Sequence, residues 1–159
     1  MPLVQVRIDD RLIHGQVVLG WAKPLKSKCL LICDDDIAAS SWEKELYISC
    51  VSDDLKALVL NVNQTCEYIL NENNDVDKTI ILVKSPEVVY TLIESGYKPN
   101  TINLGGLHFM GERKEYLPYV YMDQSEINEL SNLIDQNIFI FCQDVPSGKK
   151  YQFKDIISH

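Results

Sequence analysis

Short apolar runs without alternation recur along this chain, and they constrain its fold more than any other feature. Cys29 to Cys33, Thr79 to Val83 and Ile138 to Cys142 are apolar almost throughout. A strand with one wet face alternates apolar and polar residues, whereas a strand covered on both faces has no need to. Between these runs lie segments with helical spacing and helix-start residues. The alternation of strand and helix returns roughly every twenty-five residues. That combination implies an α/β protein with a mainly parallel sheet and helices on both faces.

The remaining elements follow the same logic. Leu3 to Ile8, Ala57 to Val62, Thr101 to Leu104 and Tyr119 to Met122 are expected strands, the third emptying into Gly105-Gly106. A helix is expected from Gly15 to Trp21, ending near Pro24. Ser41 can cap a second helix that carries Trp42, Leu46 and Cys50 on one face. A third runs over Thr65 to Leu70. Ser85-Pro86-Glu87 reads as N-cap, first-turn proline and acidic first turn. Asp123 and Glu126 have capping-box spacing before Ile127, Leu130 and Ile134. A chain of 159 residues suits one domain with a sizeable core.

Ligands of such sheets gather beyond the carboxyl ends of the strands. The loops expected there are Asp9 to Gly15, Asp34 to Asp36, Lys84 to Pro86 and Gly105-Gly106. The first is the richest: Arg7, Asp9, Asp10 and Arg11 precede His14, and Gly15 follows it. A histidine nucleophile toward phosphorus needs one bare ring nitrogen, with its other nitrogen held by a hydrogen bond. Arg11 and Arg7 could meet phosphoryl oxygens, with Asp9 or Asp10 holding an arginine in place. Backbone N–H groups of Gly15, Gln16 and Val17 could add donors at a helix start. The competing interpretation is a loop laced by Asp–Arg pairs with a bystander histidine. A non-catalytic module binding a phosphorylated metabolite would use the same arginine and backbone donors.

Other chemistries find less support. The net charge of −8 argues against general nucleic-acid binding. No Walker A or dinucleotide fingerprint is present, so neither ATP nor a nicotinamide is expected, and no cofactor is required. Asp34-Asp35-Asp36 could attract magnesium, but can equally end a strand and cap a helix. The five cysteines form no CxxC pair, and Cys29, Cys33 and Cys142 lie in apolar segments, which favours core thiols there over zinc. No metal is expected. Charge appears at Arg7 before any signal-peptide core, and no apolar run nears the roughly 20 residues of a membrane span. A cytoplasmic location is expected.

With these residues in view, the chain resembles the IIB subunits of the mannose/fructose/sorbose family of bacterial sugar phosphotransferase systems. The resemblance begins at Val4-Gln-Val-Arg-Ile-Asp-Asp-Arg-Leu-Ile-His-Gly-Gln-Val and runs to Trp21. It resumes at Asp34-Asp-Asp-Ile-Ala38, Lys84-Ser-Pro86, Asn103-Leu-Gly-Gly-Leu-His108 and Gln143-Asp-Val-Pro146. It implies one IIB domain over residues 1–159, with an open sheet of about seven strands, one antiparallel. It implies phosphorylation of His14 at Nδ1, with Arg11 as the cation facing the phosphate and Arg7 and Asp9 in support. Asp35, Lys84, Ser85, Gly105, Gly106 and His108 fall at the expected rim. The implied donor is a IIA phosphohistidine, and the acceptor is a sugar held by membrane IIC and IID partners. Peripheral attachment to the inner membrane face would follow, and the family often self-associates. A transient IIA contact calls for an apolar rim, for which Leu12, Ile13, Leu107 and Phe109 are candidates.

Overall fold

The computed structural model describes residues 4–12, 26–51 and 55–158. The expectations for Leu3, Ile13, His14, Gly15, Gln16, Val17, the helix to Trp21 and Pro24, and His159 lie outside these residues.

Seven strands form one sheet: β1 (Val4–Asp9), β2 (Cys29–Cys33), β3 (Lys56–Leu60), β4 (Thr79–Val83), β5 (Thr101–Gly106), β8 (Phe139–Cys142) and β9 (Tyr151–Gln152). Their order is β3-β2-β4-β1-β5-β8-β9, parallel except for the last pair. A separate antiparallel hairpin pairs β6 (Lys114–Leu117) with β7 (Val120–Met122). The helices are α1 (Asp35–Ala38), α2 (Ser41–Ser49), α3 (Val62–Leu70), α4 (Pro86–Glu94), α5 (Gln124–Asp135) and α6 (Phe153–Ile157).

The unbroken apolar runs are explained by a core on each face. Leu31, Cys33, Ile81 and Val83 point into one core with residues of α3, α4, α5 and α6. Leu30, Ile32, Ile80 and Leu82 point into the other, with Ile37 and Ala38 of α1 and Tyr47 of α2. Because successive side chains of a strand face opposite ways, both registers of β2 and β4 must be apolar.

Several expected boundaries move for local reasons. The Ala57–Val62 strand stops at Leu60, because Asn61 and Gln64 form a capping box that opens α3 at Val62. Ser40, not Ser41, caps α2 by accepting from the Glu43 N–H. That helix buries none of its residues, and Trp42 and Leu46 are exposed, so the expected face is not a core face. Ser85 does sit at the N-cap of α4, but its side chain makes no capping hydrogen bond. The capping box of Asp123 and Glu126 forms as expected. α1 is the helix that Asp34 caps, while β6, β9 and α6 have no counterpart among the expected elements.

Gly105 and Gly106 lie inside β5 rather than in a loop, at a register shift where Asp9 pairs with Gly106. Arg7 on β1 reaches across β5 to the carbonyls of Gln143 (3.2 Å) and Asp144 (2.9 Å) beyond β8. Its guanidinium lies over Gly105, where a Cβ would coincide with it. A side chain there would evict a buried cation from its partners. Gly105→Ala is therefore expected to lower stability by about 3 kcal/mol, read by urea unfolding. Unchanged stability would mean that Arg7 does not occupy that space.

Candidate active site

The chain leaving β1 next enters the sheet at β2, on one side, while the chain leaving β5 next enters at β8, on the other. The carboxyl ends of β1 and β5 thus form the topological switch point of the sheet, the usual ligand crevice of such folds. Asp9, Asp10, Arg11, Gly106 and His108 converge there.

Asp9 is completely buried and holds two arginines. Arg11 donates to it three times, through its backbone N (3.0 Å), Nε (3.1 Å) and Nη2 (3.2 Å). Arg7 Nη2 lies 3.5 Å from the same carboxylate. Burial pulls the Arg7 guanidinium down to about 10, against the opposing pull of Asp9. Arg7 is fully enclosed, so its contribution is support: it ties β1 to the end of β8 and helps neutralise Asp9. Arg11 is different. Its side chain is 35% exposed, and no described residue engages its Nη1. The fork is thus fixed by Asp9 while the side chain stays partly exposed.

Asp10 grips His108. The His108 N–H donates to Asp10 Oδ2 (2.8 Å), and Nδ1 lies 2.6 Å from Oδ1. Arg113 braces the pair by donating to the His108 carbonyl (2.7 Å) and approaching Asp10 (3.4 Å). Arg113 is held in turn by Glu126, with Nε–Oε1 at 2.9 Å and Nη2–Oε2 at 2.7 Å. Burial alone would lower the Arg113 guanidinium, but Glu126 and then Asp10 outweigh it and hold it above its ordinary value. The capping box of α5 therefore has a second use, since Glu126 also accepts from the Asp123 N–H. Arg113 was not among the expected site residues, because nothing in its local sequence points to Glu126 or Asp10.

The rest of the expected rim divides. Gly106 packs against both Asp9 and His108, with a Cβ there only 3.0 Å from Asp9 Oδ1. Asp35 and Lys84 line a separate depression of about 220 Å³ with Asp34, Asp36 and Glu87. The acidic triplet has structural employment. Asp34 accepts from the Ile37 N–H to cap α1, and Asp35 accepts from the Val62 N–H at the start of α3. Lys84 pairs with Asp34 at 3.0 Å and Asp36 at 3.6 Å, and the hydrogen bond to Asp34 raises its ammonium above the ordinary lysine value. Leu12 and Leu107 are buried and leave the list of rim candidates, whereas Phe109 and its neighbour Met110 are exposed. Phe109 stands edge-on to Tyr121 of β7.

Comparison with known proteins decides the family. The family model described as "PTS system sorbose subfamily IIB component" matches residues 3–159. The chain belongs to that family. It is therefore a phosphotransferase of the phosphohistidine type, relaying a phosphoryl group from a IIA component to a sugar through IIC and IID. The "PTS system fructose-specific EIIB component" of Bacillus subtilis strain 168 is 27% identical over 157 residues, covering 99% of this chain and 96% of that protein. The "N-acetylgalactosamine-specific phosphotransferase enzyme IIB component 1" of Escherichia coli K12 is 26% identical, covering 96% of this chain and 97% of its own length. Among solved structures, the IIBSor domain of the sorbose permease from Klebsiella pneumoniae superposes with a TM-score of 0.88 at 26% identity, covering 99% of this chain and 97% of that one. Among the described residues, no helix is long and apolar enough to cross a membrane.

The assignment of the acidic triplet to capping has a direct check. Asp34→Ala removes a cap and the partner of Lys84, and is expected to cost about 1–2 kcal/mol in stability. Asp36→Ala should change stability by less than about 0.5 kcal/mol. Transfer from purified phospho-IIA should proceed at the same rate in excess EDTA. A rate that collapses and returns with magnesium would make the triplet a metal site.

Proposed function

We propose that His14 is the residue of this IIB component that carries the phosphoryl group, and that Arg11 is its principal charge partner. The observation that carries this reading is the Asp9–Arg11 clamp at the switch point of the sheet. Three residues of chain span at most about 11 Å, so Arg11 anchors the neighbourhood in which His14 must act. A guanidinium fixed by a buried carboxylate stabilises incoming charge without reorganising when the group arrives. Phosphoryl transfer between two imidazoles asks for this positioning and neutralisation more than for acid–base chemistry.

The whole chain, residues 1–159, acts as one IIB domain. Gly15, Gln16 and Val17 would supply backbone donors to the phosphoryl oxygens. The IIA donor docks over the carboxyl edge of the sheet, where Phe109 and Met110 present apolar surface next to His108. Transfer to sugar takes place against the membrane IIC and IID components, which places this chain on the cytoplasmic face. Relatives named for fructose, N-acetylgalactosamine and sorbose match it about equally. That fits one relay chemistry shared among systems that differ in sugar.

Phosphorylation by phosphoenolpyruvate, the general donor proteins and the cognate IIA should give an acid-labile, base-stable adduct on His14. His14→Ala should not label, and stoichiometric labelling of that variant would overturn the assignment. Arg11→Lys keeps the charge but replaces a fixed fork with a mobile point charge. Its transfer rate at saturating phospho-IIA should fall by about ten- to a hundredfold in stopped-flow measurements.

A further inference from the structure

Phe109 and Met110 form the tip of the loop between β5 and β6, and they are 69% and 63% exposed. An unconstrained loop would turn such side chains away from water. This loop is held against doing so. At its start Leu107 is buried and bound to the β6–β7 hairpin: its N–H donates to the Tyr119 carbonyl (2.9 Å), and its carbonyl accepts from the Tyr121 N–H (2.7 Å). The next residue, His108, donates its backbone N–H to Asp10 (2.8 Å). Past the tip, the Arg113 N–H donates back to the Met110 carbonyl (3.2 Å). That bond closes a turn through Gly111, whose φ of 57° suits glycine. Phe109 stands edge-on to Tyr121 with ring centroids 6.0 Å apart.

Arg113 draws these contacts together. Its Nη1 donates to the His108 carbonyl (2.7 Å), so one guanidinium ties the end of the loop to its beginning. Its Nε and Nη2 donate to Glu126, at 2.9 and 2.7 Å, in the first turn of α5. That helix is set into the core by Ile127, Leu130 and Leu133. The Arg113 side chain is buried, and a buried guanidinium destabilises a protein unless its donors are matched. The two-pronged grip of Glu126 supplies the match. What the pair achieves is a loop with one conformation. A loop already fixed loses less freedom on binding than one its partner must order.

We propose that Arg113 is a positioning residue for donor docking: clamped by Glu126, it holds the 107–113 loop so that Phe109 and Met110 enter an apolar recess on the IIA component. The proposal rests on IIA docking over the carboxyl edge of the sheet. The loop is continuous with that edge, because its base is tied to Asp10, the residue between Asp9 and Arg11. A partner seated on the tip is therefore held in register with the Asp9–Arg11 clamp. Phe109, Met110 and Gly111 carry no charge, so the matching recess is lined by aliphatic or aromatic side chains. Two apolar side chains make a contact small enough for a partner that must leave after each transfer.

The test is single-turnover transfer from purified phospho-IIA to the full chain, reading the half-saturating concentration of phospho-IIA separately from the saturated rate. Phe109→Ala/Met110→Ala should raise that concentration about tenfold. Arg113→Lys keeps the charge, but one ammonium cannot hold Glu126 and the His108 carbonyl as a fork does. It should raise the half-saturating concentration about three- to tenfold, with a saturated rate within about twofold of native. In the Phe109→Ala/Met110→Ala background, Arg113→Lys should add nothing further, a dependence that a general loss of stability would not produce. A native half-saturating concentration for Arg113→Lys, a loss confined to its saturated rate, or an effect undiminished without the apolar tip would overturn the proposal while docking at this edge stands. A native value for Phe109→Ala/Met110→Ala would overturn the docking face itself, and a defect confined to transfer onto sugar would assign the tip to IIC or IID instead.

Discussion

A single buried carboxylate, Asp9, is the interaction on which the rest of this structure depends. Removing a carboxylate from water costs several kcal/mol unless opposite charge and hydrogen bonds replace the lost hydration. Asp9 receives both, from Arg7 below and Arg11 beside it. Each arginine then does a different thing. Arg7 is spent inside the protein, where it links β1 to the end of β8 across β5. Arg11 is held by Asp9 with its side chain partly exposed. Replacing Asp9 would leave the enclosed Arg7 charge without its carboxylate partner and let Arg11 swing. Fold and site would suffer together.

That arrangement accounts for neighbouring residues that have no chemistry of their own. Gly105 is absent side chain because the Arg7 guanidinium lies where a Cβ would be. Gly106 lets Asp9 and His108 approach the end of β5. On the far side, Glu126 turns an ordinary helix cap into an anchor for Arg113, and through it for Asp10 and His108. Two adjacent aspartates, Asp9 and Asp10, thus organise two separate cation systems that meet at the switch point. The arrangement fits a family whose members pass on a phosphoryl group, since it fixes the Arg11 guanidinium at the switch point.

How much of this was legible in the sequence follows from the range of each interaction. The parallel sheet could be read because both registers of β2 and β4 are apolar, a pattern visible within five residues. The Asp123–Glu126 cap could be read because it is local. The strand end at Leu60 was misplaced because Val62 is apolar in either state, and the Asn61–Gln64 cap decides the matter. Leu12 and Leu107 read as rim residues in the sequence because they adjoin the charged loop and the glycine pair. Their burial depends on which face each presents, which adjacency does not reveal. The need for glycine at 105 depends on strand order, since Arg7 must cross β5 to reach β8. Arg113 was invisible for the same reason: its partners are Asp10, far behind it, and Glu126, on a helix ahead. The histidine loop beyond Leu12 lies outside the described residues, and its role is the proposal made above.

The central claim is that Asp9 acts on phosphoryl transfer by fixing Arg11, and a double-mutant cycle tests it most directly. Transfer rates from saturating phospho-IIA would be measured for the native chain, Asp9→Asn, Arg11→Lys and the double variant, with circular dichroism confirming that each is folded. If Asp9 works through Arg11, the double variant should be scarcely slower than the worse single variant, and the two losses should be strongly non-additive. Losses that simply multiply would show that Asp9 and Arg11 contribute independently and would contradict the account.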